Sequence, residues 1–289
     1  MDLPVVMGVD GSEPSLHAVD WAADEAALRG LPLRVVYASL WERYEQALFP
    51  TSGDRSEQIL NGVFVAAAAE RARKRAPDLK VAVQVIPDAP TPVLIREAHH
   101  ASVLVLGSRG RGDVAELLLG SVSLTVAGRA DCPVIVVRGS HDDGDGTHRR
   151  IVLGIGEEAA STNAVRFALE EAERRGAVLE AIRAWRRPAH QTTDQPLLTG
   201  VPAHAHAHEQ RAAETLEAAL RGAPAGVELH MRTAEGSARK VLLDASHGAD
   251  LLVVGARRRP GHFGLQLGRV AHTVLHHAAC PVAVVPEPV

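Results

Sequence analysis

The sequence is poor in the features that mark several classes of protein. Aromatic residues make up 3% of its 289 residues, and the net charge is −4. A nucleic-acid binder usually needs a basic surface and aromatic side chains that stack on bases, so this composition argues against that class. The two cysteines cannot form a disulfide framework and are typical of a reducing compartment. No lysine or arginine precedes Arg29 and no apolar run approaches 18 residues, so we expect neither a signal peptide nor a membrane span, and a cytoplasmic location.

What the sequence does contain is an internal repeat. Val5–Val9 aligns with Ile151–Ile155 at an offset of 146 residues, and Cys132–Val137 aligns with Cys280–Val285 at an offset of 148. Solenoid and propeller repeats run about 20–50 residues, so a period this long indicates two whole domains. We predict a first domain over 1–139 and a second over 149–289. The glycine- and acid-rich stretch between them predicts an exposed linker.

Each half alternates short apolar runs with segments of helical spacing. In the first half, helices are predicted over Ser15–Leu28, Gln58–Arg75, Pro92–Ala101 and Ser121–Arg129. The predicted strands are Val5–Val9, Leu33–Ala38, Val81–Ile86, Val103–Leu106 and Val134–Val137. This alternation predicts an α/β fold, in which each half is a doubly wound, Rossmann-like domain with a five-stranded parallel sheet. Ligands of such domains bind outside the carboxyl ends of the strands.

A glycine-containing segment follows the fourth of these strands. Gly107, Gly110, Gly120 and Ser121 have the spacing G-x2-G-x9-G-S. Glycines let the backbone approach a ligand closely, and the N–H groups of a tight loop and of a helix N-terminus favour a phosphate. Asp10 ends the first strand, where a carboxylate can accept a hydrogen bond from an adenine amine or a sugar hydroxyl. The residues therefore predict a phosphate-bearing ligand; a plain turn, with Asp10 as a turn-forming residue before a glycine, is the alternative.

Three segments of the first half resemble the universal stress protein family. They are the start Val-x-x-x-Val-Asp-Gly-Ser at 5–12, the glycine segment at 107–121 and the strand Cys-Pro-Val-Ile-Val-Val at 132–137. The resemblance covers nearly the whole chain twice, so the chain is identified as a tandem member of this family, with the ATP-binding type of motif in its first domain. The fold that the resemblance implies is the adenine nucleotide alpha hydrolase-like one.

The resemblance also implies an ATP site in the first domain, for which Mg²⁺ is a possible companion ion. Asp10 would lie at the adenine end and Ala38 beside the adenine. The remaining residues implied for the site are Gly8 and Val9 near Asp10, Gly107, Arg109 and Gly110 around the ribose and phosphates, and Gly120, Ser121, Val122 and Ser123 on the triphosphate.

The second half departs from this pattern at three positions. Gly156 stands where the first half has Asp10, and Arg258 and Arg269 stand where it has Gly110 and Ser121. We therefore predict a degenerate, structural second domain. A second, differently built anion site is the alternative, because the added arginines could attract an anion.

No motif for catalysis accompanies the glycine segment. The P-loop lysine and the paired histidines of nucleotidyl transferases do not occur in it, and Asp10 is the one carboxylate of the predicted site. We predict a nucleotide-dependent regulatory protein with no dedicated catalytic residue and an unidentified protein partner. A nucleotide-free interaction module and a slow ATP hydrolase are the alternatives. The resemblance implies that the apolar last strands pair within the chain, as an internal pseudo-dimer, or between chains, as a homodimer.

Histidines and cysteines outside this segment do not predict a metal or redox site. His204 and His208, and His272 and His276, have helical i, i+4 spacing but no acidic or cysteine ligand beside them. We predict solvated histidines and no bound metal. Cys132 and Cys280 are equivalent in the two repeats, and we expect both to be buried packing residues.

Overall fold

The computed structural model describes residues 3–38, 54–110, 119–138, 148–156, 162–186, 203–257 and 267–287. The elements of the first half are β1 Val5–Val9, α1 Glu13–Arg29, β2 Leu33–Ala38, α2 Asp54–Arg75, β3 Val81–Ile86, α3 Pro90–Ala98, β4 Val103–Gly107, α4 Ser121–Arg129 and β5 Val134–Val137. Those of the second half are β6 Arg150–Gly154, α5 Thr162–Arg175, β7 Val178–Trp185, α6 Ala203–Leu220, β8 Leu229–Glu235, α7 Ala238–Ser246, β9 Leu251–Arg257, α8 Arg269–His277 and β10 Val282–Glu287. The predicted linker lies outside the described residues, except for His148.

The strands form one ten-stranded sheet in the order β3-β2-β1-β4-β5-β10-β9-β6-β7-β8. Within each half all neighbouring strands are parallel, which confirms the predicted α/β fold with five parallel strands per domain. The halves join where β5 and β10 pair antiparallel, with Val136 opposite Val282. The two apolar last strands therefore cover each other within the chain, which removes two exposed edges.

Two hydrophobic cores lie on opposite faces of this sheet, and each runs through both halves. One contains residues of α1, α2, α5 and α6, and the other contains residues of α3, α4, α7 and α8. The β4 strand is buried at all its positions, because helices cover both of its faces. On the outer strand β3, by contrast, Val83 and Val85 are exposed. None of the helices in the described ranges is long and apolar enough to cross a membrane.

Several helix boundaries differ from the predicted ones for local reasons. Helix α1 begins at Glu13, two residues early, because Ser12 caps it and accepts a hydrogen bond from the Ser15 amide. It ends at Gly30 with φ of 64°, the left-handed conformation that glycine adopts freely. Helix α3 begins at Pro90, two residues before the predicted start, because proline suits the first helical position. It ends at Ala98. Helix α2 begins at Asp54 rather than at residue 58.

Helices α1 and α5 contact each other through a buried cluster of four charged residues. Arg29 bonds Glu25 of its own helix and Glu171 of the other, and Arg175 bonds Glu171 and Glu25 in the same way. The two glutamates are equivalent in the repeat, as are the two arginines, so the cluster lies on the pseudo-twofold axis of the molecule. We call these four residues the axial cluster.

Aromatic rings complete the axial cluster, and its two glutamates differ in pKa. The guanidinium of Arg175 lies 4.8 Å from the ring centre of Trp21, and that of Arg29 lies 5.3 Å from the equivalent Phe167. Burial and the neighbouring Glu25 carboxylate raise the pKa of Glu171 to about 7. Burial opposes ionisation of Glu25 as well, but the two arginines prevail and lower its pKa.

Candidate functional site

A cavity of about 430 Å³ opens at the carboxyl ends of β1, β2 and β4. β1 lies between β2 and β4, from which the strand order continues toward opposite edges of the sheet. Ligands of doubly wound domains usually bind at such a point. The structure brings all the predicted site residues to the lining of this one cavity: Gly8, Val9, Asp10, Ala38, Gly107, Arg109, Gly110, Gly120, Ser121, Val122 and Ser123.

The cavity also has an apolar wall that the sequence reasoning did not predict. The further lining residues are Ser15, Val36, Pro90, Leu94, Leu106 and Leu119. The alternation of side chains along a strand could have predicted Val36 as a lining residue, because its side chain points to the same side of β2 as that of Ala38. Leu94 lies one helical turn after Pro90, so its place follows only once the start of α3 is known. Apolar walls with a few polar groups are typical of small-molecule sites.

Asp10 forms one corner of the cavity and holds the turn that leads into α1. Its Oδ1 accepts hydrogen bonds from the Ser12 amide, at 3.0 Å, and from the Ser12 hydroxyl, at 2.6 Å. The same hydroxyl lies 3.3 Å from the Arg109 carbonyl oxygen. Asp10 is thus a turn-forming residue and a lining residue of the cavity at once.

The glycine segment packs so closely that side chains would not fit at two of its positions. A Cβ on Gly110 would lie 2.5 Å from Asp10 Oδ2. A Cβ on Gly107 would lie 2.7 Å from the carbonyl oxygen of Pro14, in the first turn of α1. Real Cβ atoms do not come that near to other atoms, so Gly107 must be glycine for β4 to end against the backbone of α1, whereas a side chain at Gly110 would have to displace the Asp10 carboxylate.

The start of helix α4 faces the same cavity with its free backbone donors. Gly120 is the N-cap and provides no side chain to accept from the N–H groups of the first turn, which belong to Ser121, Val122 and Ser123. The Ser123 hydroxyl donates to the Gly107 carbonyl oxygen at 2.8 Å, so it fastens the helix to the end of β4. Unpaired donors at a helix N-terminus favour an anion.

Positive charge lies at the rim of the cavity. Arg109 is part of the lining, and Arg138 follows the end of β5. Burial, together with the nearby charge of Arg109, lowers the pKa of Arg138. Arg109 is thus the cationic side chain among the described residues that line the cavity, with a second guanidinium group close enough to feel its charge.

The equivalent edge of the second half is built differently. Its cavity, of about 1090 Å³, is lined by Gly156 in place of Asp10 and also by Arg183, Trp185, Arg257 and Glu287. Arg269, which replaces Ser121, is the exposed first residue of α8. Arg258 lies outside the described residues.

A buried carboxylate stands beside the glycine that the two halves share. Gly255 is equivalent to Gly107, and the place of its Cβ lies 3.0 Å from Glu287 Oε1. Glu287 accepts hydrogen bonds from the amides of Ala164, at 2.9 Å, and Asn163, at 3.3 Å, and so caps α5. Burial raises the pKa of Glu287, although these amide hydrogen bonds oppose the shift. Glu287 thus places a carboxyl group at this edge, beside the guanidinium groups of Arg183 and Arg257 that line the same cavity.

The cysteines singled out in the sequence are packed as predicted, whereas the prediction of solvated histidines is wrong for His276, whose Nε2 is buried because α8 packs against the first half. Cys132 and Cys280 are buried, as predicted for packing residues, and burial raises the pKa of each thiol to about 12. His272 and His276 stack with ring centres 4.6 Å apart on α8. The described part of the chain contains no group of three or more histidine, cysteine or acidic side chains placed to hold a metal.

Comparisons with known proteins agree with the repeat. The model of the universal stress protein family matches residues 3–138 and 147–286. Universal stress protein Rv2005c of Mycobacterium tuberculosis is 35% identical over 295 residues, which cover 97% of this chain and 96% of that protein. Universal stress protein Rv1996 of the same organism is 30% identical over 308 residues, covering 98% and 95%. The solved structure of a universal stress protein from Archaeoglobus fulgidus DSM 4304 matches 99% of this chain and 98% of its own with a TM-score of 0.65, and at 18% identity it shows a common fold.

Proposed function

The chain belongs to the universal stress protein family, a family of stress-response proteins, and from that premise we propose that its first domain binds ATP as a regulatory ligand. ATP occupancy would order the glycine segment and change a surface that a protein partner recognises. This requires the partner-binding conformation to have the higher affinity for ATP. We also propose that the protein is cytoplasmic, that its bound ATP carries Mg²⁺, and that it assembles as a homodimer.

One observation carries this proposal. A single cavity gathers the carboxylate of Asp10, the close-packed glycines and the uncapped first turn of α4. A nucleotide needs these three features at the same time: an acceptor for its base or sugar, room beside the backbone, and backbone donors for its phosphates. The Arg109 guanidinium adds an attractive charge on the phosphate side.

We further propose that the chain binds one ATP, in the first domain only. Gly156 has no side chain to replace Asp10, and the buried carboxylate of Glu287 lies beside Gly255. Both differences remove what favours a nucleotide in the first half. The second domain would therefore serve as a structural support for the first.

The proposed role is regulation and not turnover. Among the described residues that line the cavity, Asp10 is the one carboxylate, and the proposal places it at the base or sugar of the nucleotide rather than at the phosphates. General-base work would need a group free to take a proton from the attacking water. Hydrolysis of bound ATP would be slow and incidental.

Titration calorimetry with ATP and Mg²⁺ on the full chain tests the proposal. We expect one site per chain in the wild type and its loss in Gly110→Arg, which gives the first half the arginine of the second. Asp10→Ala should weaken binding, while Asp10→Asn keeps an acceptor for the Ser12 amide and controls for damage to the turn. Gly156→Ala is the matched control in the second half, because no atom of the described residues lies within 4 Å of its Cβ position.

Each other result points to a specific alternative. Two sites per chain would show that the second half also binds. Absence of heat, together with absence of nucleotide in the purified protein, would favour a nucleotide-free interaction module. Phosphate release well above that of a Gly120→Glu variant would favour the slow hydrolase.

A further inference from the structure

The second domain contacts the cavity of the first through one histidine. The amide of Leu119 donates a hydrogen bond to Nδ1 of His276, at 3.4 Å. Leu119 lines the cavity and comes just before Gly120 and Ser121, at which α4 begins. We propose that His276 is a positioning residue for the first domain: its imidazole fixes the residue that precedes the helix N-terminus facing the phosphates. The inference rests on the proposed function for the identity of the ligand.

A second contact, at the residue before His276, holds α8 in place. Arg138 Nη1 donates to the Leu275 carbonyl oxygen at 2.8 Å. This carbonyl lies in the last turn of α8, where carbonyl groups have no partner in the helix and attract a cation. The β5–β10 pair brings Arg138 and α8 together, so the contact of His276 with Leu119 follows from the way the two halves join.

The contact has no counterpart on the other side of the pseudo-twofold axis. At the offset of 148 residues, Leu119 corresponds to Leu267 and His276 corresponds to Gly128. Glycine has no side chain that could accept from the Leu267 amide. The second domain can therefore support the loop of the first, whereas the first cannot return the contact. This asymmetry agrees with a site that works in one half only.

The surroundings of His276 favour the neutral imidazole that this contact requires. Burial, His272, His277 and Arg138 together lower the pKa of His276. Nδ1 then carries no proton and can accept from Leu119, while the proton is on Nε2. Nε2 is buried and has no hydrogen-bond partner among the described residues, so a charged ring would be poorly accommodated.

The test compares His276→Ala with His276→Asn in the full chain. The alanine variant removes the acceptor, whereas the asparagine Oδ1 can take the place of Nδ1. We expect faster hydrogen exchange of the Leu119 amide in the alanine variant without ligand. We also expect ATP affinity to fall about 3- to 10-fold, the value of one neutral hydrogen bond. The asparagine variant should restore both, and Arg269→Ala, at the exposed start of the same helix, should leave the exchange of Leu119 unchanged.

Two results would overturn the inference. One is an alanine variant with unchanged Leu119 exchange and unchanged ATP affinity. The other is an asparagine variant that behaves like alanine, which would mean that the ring acts by packing alone. If the wild type binds no ATP, the proposed function fails, while Leu119 exchange still decides whether His276 holds the loop. Thermal unfolding of each variant separates these effects from a general loss of stability.

Discussion

The two halves of the molecule share a scaffold and differ at one edge of it. Both have five parallel strands in the same order and an equivalent glycine in the fourth, which is the last residue of β4 and the third from last of β9. In the first half this glycine packs against the first turn of α1, and the cavity is lined by backbone donors and apolar side chains. In the second half, the equivalent glycine faces the carboxylate of Glu287. The comparison shows that the two halves share their core and differ in a few side chains at the strand ends, and our proposal of a single nucleotide site rests on these differences.

The axial cluster differs from the strand ends, because both halves contribute the same residue types to it. Its symmetry in sequence does not make the two glutamates equal, because two close, buried carboxylates do not ionise independently. Glu171 retains a proton to a higher pH than Glu25. Burial of the two carboxylates beside each other thus raises the pH at which the pair releases its last proton.

The largest expected effect breaks the axial cluster. Glu25→Ala should lower the free energy of unfolding by about 3–5 kcal/mol, because it leaves two buried arginines with a single carboxylate. Glu171→Ala should be less destabilising near pH 7, where Glu171 is partly protonated. Denaturant unfolding of both variants measures the difference. Equal losses would show that the two carboxylates are equivalent.

Adding one methyl group to the shared glycine should separate the two halves. Gly107→Ala places a Cβ 2.7 Å from a backbone carbonyl oxygen, and we expect a loss of about 2–3 kcal/mol. Gly255→Ala places it 3.0 Å from the Glu287 side chain, which can move, and we expect about 1 kcal/mol. Thermal unfolding compares the pair. A larger loss for Gly255→Ala would contradict the described packing.

The caps of α1 and α5 provide a smaller comparison. Glu287→Ala removes the acceptor of two amides at the start of α5, and we expect a loss of about 1–2 kcal/mol. Ser12→Ala removes the cap of α1, whose hydrogen bond is long at 3.4 Å, and should cost about 1 kcal/mol or less. Chemical denaturation measures both. An unchanged midpoint for Glu287→Ala would mean that Glu287 does not cap α5.

The last expected effect is a pH dependence of stability that belongs to Glu171. Its pKa of about 7 lies above its ordinary value of 4.5, so the folded protein holds the proton more tightly than the unfolded chain. This stabilisation is fully present below pH 4.5 and is lost as the pH rises to about 7. The wild type should therefore lose stability relative to Glu171→Gln in this window, by less than about 1.4 kcal/mol per pH unit. Parallel stability curves for the two proteins would contradict this assignment.

Local sequence signals located much of the fold because they are properties of short segments. The apolar runs at Val81–Ile86 and Val134–Val137 are strands with the predicted bounds. The start of α3 could not be fixed by such signals, because prolines at 90 and 92 both suit the first helical position, and the helix begins at Pro90. Asp10 and the glycines could be singled out as candidate site residues because turn chemistry and close approach restrict the residue types at such positions.

Other parts of the site could not be predicted from local patterns. Leu94 lines the cavity only because α3 packs over β1 and β4. Glu287 is an unremarkable residue near the chain end until β10 places it beside Gly255 and the start of α5. His276 was one of a helical pair of histidines, and its contact with Leu119 spans 157 residues.

The sequence by itself determined the repeat, the alternation of strands and helices, and the glycines and carboxylate that gather at one edge. These depend on periodicity and on what each residue allows its own backbone to do. Only the tertiary structure decided that the strands of both halves form one sheet and that the four residues of the axial cluster meet. It also decided that Glu287 lies beside Gly255 in the second half and that His276 contacts Leu119 in the first. Those outcomes depend on contacts between residues far apart in the chain, which form only when the packed strands and helices fix their distances.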